Sequence, residues 1–182
     1  MEQSTQTTQT KKSWKENIST FIAVTTLVLA VCATITGFKA AGYGNKMVLA
    51  QSQASDQWAY YQAKSIKETT YQVQRDAMAL AAQETGKAEL YKTKLAEYED
   101  GIARYKTERE QIAEAAKRLE NERDTAQRFN GGFGQALIFL QIGILFSSLA
   151  SINKVHIYWY MGLFTGGVGI AMFLYTYVGT LI

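Results

Sequence analysis

The stretch Leu80-Ala81-Ala82-Gln83-Glu84-Thr85-Gly86-Lys87-Ala88-Glu89-Leu90-Tyr91 decides the fold, because two heptad patterns meet in it out of phase. On its N-terminal side Ala59, Ala63, Ile66, Thr70, Val73, Ala77 and Leu80 recur at alternating spacings of four and three. On its C-terminal side Tyr91, Leu95, Tyr98, Ile102, Tyr105, Arg109, Ile112, Ala116 and Leu119 do the same. That spacing is the mark of a helix lying along a seam against another helix. Carried forward, the first pattern lands on the charged Glu84; carried backward, the second reaches Ala88. The two seams therefore do not join, and Gly86 sits at the discontinuity, where it can supply the left-handed residue that ends a helix.

Around this point lies a polar region, Lys39 to Gly134, with fifteen Lys/Arg against fourteen Asp/Glu. It is enclosed by apolar sequence. Ile18 to Phe38 carries no charge, and about 20 such residues suffice for a hydrocarbon layer of about 30 Å. Gln135 to Ile152 and Ile157 to Ile182 are also uncharged, and the short connection Asn153 to His156 makes them antiparallel neighbours. A straight helix over the polar region would extend roughly 140 Å. Both its ends cannot then return to one membrane face, so the chain is expected to turn back near Gly86. A stutter within one continuous helix is the competing reading of the phase break, and it requires the two ends to lie in different membranes or the last two segments not to span.

The expected architecture is an all-α membrane protein: three transmembrane helices with a long antiparallel helical hairpin, a coiled-coil stalk, between the first and second. Its limits are a disordered tail over 1–13, a first transmembrane helix over 14–41, the hairpin over 42–134, and transmembrane helices over 135–152 and 157–180. The absence of proline suits long helices. Gly42-Tyr43-Gly44-Asn45 and Phe129-Asn130-Gly131-Gly132-Phe133-Gly134 read as joints that break the helices at the membrane surface, with Asn45 a helix cap.

The net charge of +3 is small and the polar region nearly neutral, which argues against a nucleic-acid face. The one cysteine, Cys32, lies inside the first apolar run and has no intramolecular partner. Leu29-Ala30-Val31-Cys32 approaches a lipoprotein processing site, but Val31 stands where a small residue is required and the apolar run continues to Phe38. An uncleaved anchor is expected instead. The one histidine, His156, precedes Tyr158, Trp159 and Tyr160 and reads with them as an interfacial aromatic belt. No set of nucleophile, base and carboxylate converges, so no catalytic residue, cofactor or metal site is expected. The glycine-rich joints lack the preceding strand and following Lys-Ser/Thr of a phosphate loop.

What the sequence does offer is contact surface. Trp58, Tyr60 and Tyr61 fall in a charge-poor stretch, Ala50 to Lys67, and read as a contact face against the returning helix or another subunit. Tyr91, Leu95, Tyr98, Ile102, Tyr105, Ile112 and Leu119 complete the expected stalk contact. Gly162, Gly166 and Gly169 form a small-residue face that lets helices approach closely, within one chain or between copies.

The block from Asn45 to Lys67, with its core Gln57-Trp58-Ala59-Tyr60-Tyr61-Gln62-Ala63-Lys64, preceded by an apolar anchor and followed by a charged helix and two terminal spans, resembles the bacterial membrane protein family catalogued as domain of unknown function 4337. The resemblance implies a bacterial origin and a membrane location, and brings no activity or catalytic residue with it. The expected role is a non-enzymatic scaffold or partner-binding protein of the bacterial inner membrane that self-assembles through its stalk and spans. Its expected partners are the lipid bilayer, further copies of itself, and another membrane or periplasmic protein. The alternative is an oligomeric channel or transport accessory lined by Thr20, Thr25, Thr34 and Thr36 or by Gln141. Three lysines before the first span, Lys11, Lys12 and Lys15, against Lys39 and Lys46 after it, favour an N-terminus inside and a periplasmic stalk.

Overall fold

With no proline to interrupt it, the chain is helical almost throughout. The computed structural model describes residues 2–85 and 88–181, with side chains over 19–84 and 89–181. Helix α1 spans Glu2–Thr85, α2 spans Ala88–Asn153 and α3 spans His156–Gly179; there is no strand among the described residues. Each helix contains a stretch long and apolar enough to cross a membrane, by length and composition. The turn expected at Gly86 lies outside the described residues.

Two expectations about helix ends are corrected. Helix α1 already begins at Glu2, where a disordered tail over 1–13 is expected; the Gln/Thr-rich segment has no apolar face, but also no glycine or proline to stop a helix. Both glycine-rich sequences, 42–45 and 129–134, are helical, so neither is a joint and Asn45 is not a cap. A glycine inside a helix costs only about 1 kcal/mol relative to alanine, and packing offsets that here. The Tyr43 ring lies 5.2 Å from Phe129 and 5.7 Å from Phe133, and Phe133 in turn packs on Phe173. Asn130 donates its amide to the Ala40 carbonyl at 2.8 Å. A Cβ at Gly44 would sit 3.0 Å from that amide nitrogen, and one at Gly132 would sit 2.8 Å from the Thr176 side chain. These glycines permit close approach rather than a turn.

The chain divides into two compact units, Met1–Asn45 with Ala126–Ile182, and Lys46–Thr125. Phe129, Asn130 and Phe133 pack within the first unit. In that unit Leu29, Ala33 and Leu140 are buried together, with Cys32, Leu137, Ile144 and Ile170 against them. Helices α2 and α3 are joined by two residues only. Lys154 takes φ 54°, the left-handed position more often held by glycine after a helix, and Val155 is extended before α3 begins.

In the second unit the C-terminal part of α1 packs on the N-terminal part of α2. The α2 seam faces inward: Tyr105, Ile112 and Ala116 are buried, and Tyr91, Leu95, Tyr98, Ile102, Arg109 and Leu119 are half-buried. The α1 stripe does not. Ala59, Ala63, Ile66, Thr70, Val73, Ala77 and Leu80 are all exposed, with Ile66 at 67%, Val73 at 62% and Leu80 at 61%. The face α1 buries instead carries Ala50, Ala54, Glu68 and Ala82, with Tyr61, Lys64, Ser65 and Tyr71 half-buried. The reason is complementarity: the α2 seam presents Arg109 and several tyrosine rings, which need a carboxylate, hydroxyls and small residues opposite. The stripe from Ala59 to Leu80 has no carboxylate, and it would leave the guanidinium desolvated and unpaired.

Candidate functional site

Inside the second unit, Arg109 organises the contact. Its Nη1 donates to Ser65 Oγ at 3.2 Å and lies 3.1 Å from the Glu68 carboxylate, while its guanidinium covers the Tyr61 ring at 5.1 Å. Tyr61 stands edge-on to Trp58, whose indole donates to Glu120 Oε1 at 2.9 Å. One turn away, Lys64 pairs with Glu108 at 2.6 Å. The hydrogen bond to Glu108 holds the Lys64 amine above its ordinary range, and the same contact holds the Glu108 carboxyl below its own. Tyr60 is exposed, with the Lys64 amine 5.2 Å from its ring centre.

Further along, Tyr71 meets Tyr98 and Tyr105, both edge-on, at 5.5 and 5.2 Å. The edge of the ring presses on Gly101, where a Cβ would come within 2.5 Å of its Cδ1 and Cε1. Arg104 sits over Tyr105 at 5.0 Å, and hydrogen bonding from Arg104 holds the Tyr105 phenol below its ordinary range. This is a cluster of structural pairings between two helices. Among the described residues no three His, Cys, Asp or Glu side chains could hold a metal ion.

In the first unit Gly162, Gly166 and Gly169 of α3 are buried. A Cβ at Gly166 would meet the Leu29 side chain at 2.6 Å, one at Gly162 would meet Ser147 Oγ at 2.6 Å, and one at Gly169 would meet Leu140 at 2.8 Å. The packing face of α3 is thus occupied by α1 and α2 of the same chain. Trp159 turns its indole to Thr25 Oγ1 at 3.4 Å. Thr25, Thr34 and Thr36 each donate to the carbonyl four residues back.

The surface left open is the outward α1 stripe. An open groove of about 470 Å³ lies along it, lined by Ser65, Ile66, Thr69, Thr70, Val73 and Gln74. Its walls are effectively apolar, because Thr69 and Thr70 turn their hydroxyls to the Ser65 and Ile66 carbonyls at 3.0 and 2.8 Å. In the apolar span of α2, conversely, the amide-bearing Gln141 is exposed.

A family model described as a domain of unknown function, DUF4337, matches residues 18–179, from the first apolar segment through α3 and across both units. The chain belongs to this family. No curated protein and no solved structure matches it. Three residues central to this DUF4337 chain carry only faint sequence signals. Gly101 is an isolated glycine in a strong helical pattern, a known mark of close approach. Glu68 is hidden because a lone carboxylate in a charged helix normally reads as solvated. Gly143 belongs to a run, Ala136, Leu140, Gly143, Ser147 and Ala150, spaced by four and three, and all five are buried.

Proposed function

We propose that this DUF4337 chain is a non-enzymatic scaffold of the bacterial inner membrane that self-assembles through exposed helix faces and offers them to partners. In this reading residues 46–125 form an antiparallel helical hairpin. Support comes from the pairings Gln51 with Arg123, Ser65 with Arg109 and Tyr71 with Tyr98, in which one number rises as the other falls. The three apolar helices cross the bilayer, and the lysines before the first span favour residues 46–125 on the periplasmic side.

The observation that carries the reading is the outward stripe of Ile66, Val73 and Leu80 on an otherwise charged pair of helices. Single exposed apolar residues are ordinary, but a row at helical seam spacing is the surface of an interface. The exposed Gln141 shows the inverse polarity, an amide on an apolar helix, and in lipid such a group gains by bonding to another helix. The channel reading draws less support, since the hydroxyls of Thr25, Thr34 and Thr36 already serve their own helix. Native mass measurement of the solubilised protein tests the proposal. The expected mass is a multiple of the 20.3 kDa chain; a monomer overturns self-assembly.

A further inference from the structure

We propose that the outward stripe of α1 pairs with the same stripe of a second copy, in parallel and in register, as a coiled coil between subunits; this rests on the self-assembly reading and names its interface. The spacing identifies the kind of partner. A 3.5-residue repeat over Ala59 to Leu80 keeps one face turned toward another α-helix, whereas a lipid surface asks for a broader apolar face.

The groove identifies the fit. In a coiled coil each knob enters a hole formed by four residues at i, i+3, i+4 and i+7, and Ile66, Thr69, Thr70 and Val73 stand at those positions along the groove. Heptad assignment from the spacing places Ile66, Val73 and Leu80 at d and Thr70 at a. In a parallel pair the hole then receives Thr70 of the second copy. That side chain offers its methyl group, because its hydroxyl is already bonded to Ile66 O.

Three further points select a second copy. The flanks of the stripe carry few charges, Lys67 and Asp76 the nearest, and parallel pairing sets Lys67 beside Gln62 and Asp76 beside Ala81, with no like-charge pair across the seam. The apolar seam of α2 is already covered within the chain, so the stripe is the face of this period and length that every copy still presents. Copies inserted with one topology carry α1 in the same direction, which makes the pairing parallel. A symmetrical seam of this length removes on the order of 1,000 Å² from water, where specific interfaces begin.

The test uses the full chain in its membrane with Cys32→Ser, which leaves no native thiol. Ile66→Cys, Val73→Cys and Leu80→Cys are introduced singly and oxidised with copper phenanthroline. Each is expected to give a disulfide-linked band at twice the chain mass, while Lys117→Cys, on the exposed face of α2, gives none. In a second arm, Ile66→Glu with Val73→Glu is expected to reduce the native mass to one chain with the far-UV helical signal retained. Crosslinking at Val73 without Ile66 and Leu80 overturns the parallel register. Loss of all three crosslinks with the oligomeric mass intact overturns the stripe as interface and leaves self-assembly standing. A crosslink to a chain of different mass assigns the stripe to a foreign helix and overturns the proposal. A monomeric unsubstituted protein overturns both readings.

Discussion

At Glu68 a carboxylate only 8% exposed lies 3.1 Å from the half-buried Arg109 guanidinium. Removing one member of such a pair is worse than removing both, because a desolvated charge remains without a partner. Arg109→Leu is therefore expected to destabilise the protein by about 3 kcal/mol, at the low end for a broken buried pair since Arg109 keeps some water access. The double replacement Glu68→Leu with Arg109→Leu should recover most of that loss. Urea unfolding followed by circular dichroism measures both; equal losses in the single and double variants would show that the pair does not set the contact. Neither partner was legible as a pair beforehand. Arg109 falls on the α2 seam by spacing, but its counterpart lies 41 positions away on a face of α1 that spacing alone leaves looking solvent-exposed.

At the scale of elements, helix packing is decided by where backbones can touch. A Cβ at Gly143 would fall 2.9 Å from the Gly166 backbone and 3.0 Å from Gly162 O, so α2 and α3 meet there without side chains between them. Gly143→Ala should separate the helices and cost about 1–3 kcal/mol by overpacking. Gly167→Ala, pointing into open space, should be neutral or stabilising by up to about 1 kcal/mol through helix propensity. Thermal melts of the two variants are the check, and a Gly143→Ala protein as stable as its parent would refute close packing at this crossing. The glycines of α3 were readable as a small-residue face because their spacing is regular. Their partner on α2 was not, because Leu140 and Ser147 dilute its run. The first heptad of α1 was equally readable as a seam, yet it lies on the face turned away from α2.

For the whole molecule, the proposed three membrane crossings make a definite prediction about sides. With Cys32→Ser as background, Leu90→Cys on residues 46–125 and Lys154→Cys between α2 and α3 should react oppositely with a membrane-impermeant maleimide in cells whose outer membrane alone has been opened. The periplasmic reading expects Leu90→Cys to label and Lys154→Cys to be protected. The reverse pattern inverts the orientation, and labelling of both or neither removes the second span from the bilayer. Both positions are exposed in the chain, so protection would report the membrane rather than burial.

Composition and period, which are local, were enough to determine that this chain is helical, that it contains three runs able to cross a bilayer, and that two unmatched seams flank Gly86. An uncharged run of such length is poorly tolerated in water, and a chain without proline has little to break its helices. Tertiary structure decided which face of α1 is covered and whether the glycine clusters interrupt their helices. Those outcomes depend on what stands opposite: Arg109 and its neighbouring rings draw the polar face of α1 inward, and Asn130 and Thr176 fill the space that Gly44 and Gly132 leave. A seam can be read from one helix, but its partner is settled only by the chemistry of the other.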